Sequence, residues 1–225
     1  MKFLAIVTAR RGSKTIKNKN IKKIGKKSLI EFTFKELNKT FIKDKYILTD
    51  SKEIKKIAKR YSINTDYVRP KNLSKDNTSS IDTISHFSHW YLKKSNYDAL
   101  ILLQPTSPLR IKKDILNAVN IFKKKKYQSL FSVSKSLEHP YETVDLKKTN
   151  KIYYIFKESS KYYRKQDYKI NSYFINGAIY IVKKELIKKK QMYSKKNHGF
   201  YIMPKIRSID LDDIEDFEIT KKLLK

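Results

Sequence analysis

The 225-residue chain carries 52 basic residues against 22 acidic ones, a formal net charge of +30, and no cysteine. The missing thiols exclude a disulfide framework and a zinc–thiolate site, and the length suits one α/β domain spanning 1–225. The charge leaves a nucleic-acid binder as a distant alternative: only seven basic residues are arginine, and the lysines run from end to end instead of marking one stripe.

Residues 3–9 are apolar and read as a buried first strand. The run is short and Arg10-Arg11 follows it, the reverse of the charge order in a signal peptide. No stretch approaches a membrane span, and a cytoplasmic protein is expected. A polar loop over 10–20 leads to a helix with Leu29, Ile30, Phe34 and Leu37 on one face and Ser28 as N-cap. Residues 45–49 form a second strand, 53–61 a helix, and 63–68 a third strand closed by Arg69-Pro70. A helix over 80–92 precedes the most hydrophobic strand, 99–103, which should be central. After a turn with two of the five prolines come a helix over 114–125 and a strand over 129–133. Such alternation predicts a mostly parallel, doubly wound sheet. It lapses over about 135–175, a polar, tyrosine-rich stretch too long for an ordinary loop and read as an inserted dimerisation arm. Strands at 178–182 and 200–203 and a helix at 214–224 complete the chain.

Four segments carry chemistry. In open α/β sheets ligands bind at the carboxyl ends of strands. The loop Arg10-Arg11-Gly12-Ser13-Lys14, with Lys17, Lys19 and Asn20 beyond, therefore stands where backbone N–H groups, a hydroxyl and basic side chains can cradle phosphate. It is neither a Walker A sequence nor a GxGxxG fingerprint. Gln104-Pro105-Thr106-Ser107-Pro108-Leu109-Arg110 fixes a rigid turn after the central strand, with Gln104 offering donor and acceptor at the cleft mouth. Six acidic residues fall within 210–218. In extended backbone Asp210 and Asp212 share one side and suit a hard cation such as Mg2+, whereas Asp213, Glu215 and Asp216 suit a helix N-terminus. The fourth runs from Arg164–Asp167 to Tyr180, where the Asn176-Gly177 pair just before a strand suggests close approach of backbone to ligand.

Ala9-Arg10-Arg11-Gly12-Ser13-Lys14 with Lys19-Asn20-Ile21, then Ser79-Ser80, Leu102–Arg110, Arg164–Asp167, Asn176–Tyr180 and Asp210-Leu211-Asp212 together resemble the acylneuraminate cytidylyltransferase family. The resemblance runs across nearly the whole chain, and Leu-Leu-Gln-Pro-Thr-Ser-Pro-Leu-Arg is its most specific part. It implies a Rossmann-like fold of the nucleotide-diphospho-sugar transferase type and a homodimer whose arm reaches the partner's site. It also implies transfer of CMP from CTP to a nine-carbon 2-keto sugar acid, N-acetylneuraminate or its legionaminate and pseudaminate relatives. On this resemblance Arg10, Gly12, Ser13, Asn20, Arg69 and Ser80 bind the nucleotide, and Arg10, Lys19 and Asp212 are catalytic. Gln104, Arg164, Asn176 and Tyr180 line the sugar pocket, and Asp210 and Asp212 hold Mg2+. Thr15 and Lys17 depart from the family's usual glycine and proline. No general base is evident beyond Asp212 as a candidate. Another nucleotidyltransferase, for Kdo, shares the logic without the Leu102–Arg110 pattern.

Overall fold

The computed structural model describes residues 1–12, 15–74, 78–146, 152–162 and 164–224. Ten strands occur among them: β1 (Phe3–Thr8), β2 (Lys23–Ile24), β3 (Lys27–Ser28), β4 (Asp44–Leu48), β5 (Ala99–Leu103), β6 (Ser129–Lys135), β7 (Val144–Leu146), β8 (Ile152–Tyr154), β9 (Tyr173–Lys183) and β10 (His198–Ile202). The helices are α1 (Leu29–Asn38), α2 (Lys52–Arg60), α3 (Ser80–Leu92), α4 (Lys112–Lys124), α5 (Lys184–Lys188) and α6 (Ile214–Leu223). Six strands form one sheet in the order β10-β6-β9-β5-β1-β4. Only β9 runs against the others, antiparallel to both β5 and β6.

The period of two along the strands builds two apolar layers. Phe3, Ala5 and Val7 of β1 and Ala99, Ile101 and Leu103 of β5 face α1, α2 and α4. Leu4, Ile6, Leu100 and Leu102 face the opposite layer, where Ile84, Phe87 and Tyr91 of α3 and Leu186 and Ile187 of α5 cover them. With apolar residues on both faces, β1 and β5 read as continuous hydrophobic runs, which explains why they were legible. The doubly wound, mostly parallel α/β sheet is as expected, and no helix among the described residues is long and apolar enough to cross a membrane.

At α1 the N–H and the hydroxyl of Ser28 both donate to Glu31 Oε2 at 2.7 Å, one half of a capping box. The expected strand over 63–68 does not join the sheet. Asn64 alone makes a parallel bridge with Tyr46. Beyond it Tyr67 turns into an aromatic cluster on α3, 5.1 Å from the Phe87 ring and 5.3 Å from Trp90, and its hydroxyl meets His86 Nδ1 at 2.9 Å. Burying that ring outweighs extending an edge ladder that Pro70 would interrupt anyway. The described residues within 136–172 hold the antiparallel β7–β8 pair and three short 3-10 turns. His139, Tyr141, Tyr162 and Tyr168 pack together there, with Tyr141 and Tyr162 stacked at 5.4 Å.

Asp114 is completely buried at the start of α4. Arg207 grips it with a two-pronged fork, Nε to Oδ2 at 2.9 Å and Nη2 to Oδ1 at 2.8 Å, and the Tyr201 hydroxyl adds a third bond at 3.0 Å. Burial pushes the Asp114 carboxyl up, but Arg207, the Ile111 N–H and Tyr201 together bring it below the ordinary carboxylate range. A depressed carboxyl contributes stability that is present above its unfolded value and is lost as pH falls through the folded one. Asp114→Asn is therefore expected to cost about 3 kcal/mol at pH 7, because it leaves Arg207 beside an uncharged partner. In urea denaturation the gap to wild type should close as the pH falls below about 4.

Candidate active site

The sheet order places β1 between β4 and β5, so the chain passes from β1 to β4 on one flank and then crosses back to β5 on the other, and a crevice opens at the carboxyl ends there. A cavity of about 470 Å³ occupies it, within the range of small-molecule sites. Its walls come from three loops far apart in sequence. The loop after β1 supplies Arg10, Gly12, Thr15, Lys19 and Asn20; the turn after β5 supplies Gln104, Pro105 and Thr106; the strap before α6 supplies Asp210 and Asp212. Arg69, Thr78, Ser80 and Thr83, at and before the start of α3, close the remaining side.

Physical ties hold these loops in register. The Arg11 N–H donates to Asp50 Oδ1 at 2.8 Å, and Asn20 Nδ2 donates to the Arg10 carbonyl at 3.3 Å. Ile16, Ile24, Leu29, Leu211 and Phe217 form a third apolar cluster that fastens the first loop to the strap. The Leu211 N–H donates to the Thr106 carbonyl at 2.8 Å, fastening the strap to the turn. Lys19 lies at the junction, with Nζ 2.8 Å from the Leu211 carbonyl and 3.4 Å from Asp212 Oδ1. Arg69 directs Nε and Nη2 onto the Leu73 carbonyl at 3.0 and 2.6 Å, and burial pushes its guanidinium below the ordinary arginine value.

Among residues expected from the sequence, the cavity gathers Arg10, Gly12, Lys19, Asn20, Arg69, Ser80, Gln104, Asp210 and Asp212. Ser13 lies outside the described residues. Three expected sugar-pocket residues do not line the cavity within one chain. Arg164 is bound to Asp167 of its own turn, Nε to Oδ2 at 2.9 Å. Asn176 is fully buried, accepting from Ser132 Oγ at 2.6 Å and donating to Ser208 Oγ at 2.9 Å. Tyr180 packs its ring 4.8 Å from Phe131, with its hydroxyl pushed up by burial and by the nearby Asp210 charge. Thr15, Thr78, Thr83 and Thr106 also line the wall; Thr78 and Thr83 carry no signal in the sequence, and Thr15 and Thr106 are marked there only as a departure from the family glycine and as part of the turn. A Cβ on Gly12 would meet nothing within 4 Å, so steric crowding is not its reason to be glycine. At Gly177 it is: φ is +70°, and a Cβ would stand 2.8 Å from Gln104 Oε1 and 3.0 Å from Asp210 Oδ2.

Asp210 fits a cation. Its Oδ1 is buried without a hydrogen-bond partner. Burial first, and then the neighbouring Asp212 charge, push its carboxyl up, opposed by the Thr106 hydroxyl and by Lys19. Asp212 stands at the mouth with its side chain 76 % exposed. No group of three or more His, Asp or Glu able to hold a metal occurs among the described residues. Two carboxylates in a cavity rich in basic side chains suit Mg2+, which takes its other ligands from water and phosphate oxygens.

A raised carboxyl works against the fold once ionised: its cost is absent below the unfolded value and grows as pH rises toward the folded one. Asp210→Asn is therefore expected to stabilise the metal-free protein at pH 7. The gain should appear as a higher Tm of the variant. Calorimetry in EDTA should show the difference vanishing below about pH 3.5.

Residues 4–225 match the protein family described as Cytidylyltransferase. The N-acylneuraminate cytidylyltransferase of Escherichia coli O18:K1:H7 is 34% identical over 227 residues, covering 97% of this chain and 51% of that protein, so the chain spans about half of that relative's length. A pseudaminic acid cytidylyltransferase of Campylobacter jejuni is 31% identical over 229 residues, covering 100% of this chain and 97% of that one. Among solved structures, CMP:2-keto-3-deoxy-manno-octonic acid synthetase complexed with CTP superposes with a TM-score of 0.72 at 15% identity, covering 100% of this chain and 98% of that one. At that identity the likeness speaks for the fold.

Proposed function

The chain belongs to the cytidylyltransferase family, and from that premise we propose that it transfers CMP from CTP to a nine-carbon 2-keto sugar acid of the sialic type, releasing pyrophosphate. The observation that carries this reading is the convergence of three loops on one cavity, with Lys19 seated against the carbonyl and carboxylate of the strap.

The sugar's anomeric hydroxyl attacks the α-phosphorus of CTP in line. A new P–O bond forms, the bond to the β-phosphate breaks, the pyrophosphate oxygen takes that electron pair, and the hydroxyl loses its proton. Attacking acid and triphosphate are both anionic, so positioning and charge neutralisation dominate and no covalent intermediate is required. Arg10, Lys19 and the Gly12 backbone neutralise and hold the triphosphate, Asn20 helps to place the nucleotide, and the family resemblance adds Ser13 to this group. Arg69 and Ser80, at the α3 side, hold the nucleoside. Gln104, opposite, presents its amide to the sugar acid. Asp210 and Asp212 would hold Mg2+, which supplies further neutralisation of phosphate charge. Asp212, at the open mouth, is the candidate acceptor for the hydroxyl proton.

The arm completes the reading as a homodimer contact. Tyr154 at the end of β8, Ile155 and Phe156 just after it, and Phe174 and Ile175 at the start of β9 are apolar and exposed. A partner covering this band would bring Arg164, remote from its own cavity, toward the other subunit. CTP is a cytoplasmic nucleotide, and the enzyme is placed with it.

Pyrophosphate release from Mg-CTP should be seen with N-acetylneuraminate, legionaminate or pseudaminate and not with Kdo; release with none of them sinks the reading. Lys19→Met should lower kcat/KM by roughly 10²–10³-fold with an unchanged circular dichroism spectrum. Phe174→Glu should convert a dimer into a monomer by light scattering, since a buried unpaired carboxylate is costly at an apolar interface.

A further inference from the structure

Strands β5 and β9 pair from Ala99↔Lys183 to Leu103↔Ile179. The next step would set Gln104 against Ala178, and there the strands part. Both carbonyl oxygens turn to one atom instead: Arg110 Nη1 donates to Gln104 O at 3.1 Å and to Ala178 O at 2.8 Å. Nη2 donates to Thr33 Oγ1 of α1 at 2.8 Å. The guanidinium thus satisfies carbonyls that the ladder no longer pairs.

Arg110 is 1 % exposed and is not among the cavity's lining residues. Burial pushes its guanidinium down to about 10, which leaves it protonated at neutral pH with its donors intact. Asp114, whose charge favours that state, is itself gripped by Arg207. A buried cation held by carbonyls and a hydroxyl is costly to keep. The separation it props open is where the Gln104 amide, the Gly177 backbone and the Asp210 carboxylate crowd together. Lysine, a point charge on a flexible stem, does not reproduce a flat fork reaching three acceptors on three elements.

We propose that Arg110 is a positioning residue for the sugar-acid end of the cavity, acting through Gln104 and the Gly177 bend of β9 and touching no substrate itself. The inference rests on the cytidylyl-transfer reading above, with Gln104 facing the sugar acid.

The test measures KM for the sugar acid and for CTP separately, and Mg-CTP binding by calorimetry, in wild type, Arg110→Lys, Arg110→Met and Thr33→Val. Thr33→Val removes only the acceptor on α1 and reports what loosened packing alone does. The two Arg110 variants should raise the sugar-acid KM roughly 10–100-fold, the scale of a displacement of about 1 Å, while CTP KM and Mg-CTP affinity stay within about twofold. Thr33→Val should move neither. A fall in kcat with both KM values unchanged, or an equal sugar-acid KM rise in Thr33→Val, overturns the proposal. Should the Arg110 variants fail to fold, Gly177→Ala displaces the same Gln104 amide from the other side. It should raise the sugar-acid KM, with Mg-CTP affinity measured beside it because the same Cβ stands 3.0 Å from Asp210 Oδ2, and an unchanged sugar-acid KM there also overturns the proposal. Wild-type protein that binds Mg-CTP but releases pyrophosphate with no acceptor defeats the cytidylyl-transfer reading instead, so the two failures are distinct.

Discussion

Where β5 ends, a buried cation takes over from the β-ladder. Backbone carbonyls sealed from water need donors, and at the point where β5 and β9 diverge no strand supplies them. Arg110 does, donating to the carbonyls of Gln104, which lines the cavity, and of Ala178. The bend at Gly177, the Gln104 amide above it and the approach of Asp210 all follow from that separation. Asn176 consolidates the same bend, its side chain binding the Ala178 N–H, Ser132 and Ser208, so the strand's irregularity is held on both sides of the glycine. A register shift in the β6–β9 pairing between Phe131 and Val133 accommodates the bend on the other flank.

The second requirement is bringing residues near 210 back to those near 10. Apolar contact does most of this: Leu211 is fully buried with Ile16, Ile24 and Leu29, and Phe217 of α6 packs in the same cluster. Burial of Leu211 forces its neighbours Asp210 and Asp212 outward into the cavity and its mouth, as alternation in extended backbone demands. Lys19 then meets a carbonyl and a carboxylate at a site prepared by packing, at little further entropic cost.

Charge plays two unlike roles. Most lysines sit on solvated faces, where an ammonium on a flexible stem is nearly neutral for stability. Arginines are few and are spent where a planar fork is required: Arg207 on Asp114, Arg69 on the Leu73 carbonyl, Arg164 on Asp167, and Arg110 beneath the cavity. The functional electrostatics are local, a desolvated Asp210 facing basic side chains, and the net charge of +30 does not describe them.

Much of this was legible in one dimension. The buried strands β1 and β5, the amphipathic helices and the carboxyl-end loops follow from hydrophobic periodicity and turn chemistry, both of which act over a few residues. The loops after β1 and β5 and the Asp210–Asp212 pair were also legible from their residue types and placement, whereas Arg69 and Ser80 were named only through the family resemblance. Long-range competition decided the rest. Tyr67 left the sheet because an aromatic cluster on α3 offered its ring more burial than an edge ladder offered its backbone. Asn176, written beside a glycine as if to face a ligand, was drawn inward by Ser132 and Ser208, hydroxyls 44 and 32 residues away. Arg110 carries no local mark that separates a cation meeting an anion from one capping carbonyls. Only the parting of β5 from β9, whose Ala178 lies 68 residues beyond Arg110, creates the unpaired acceptors that assign it.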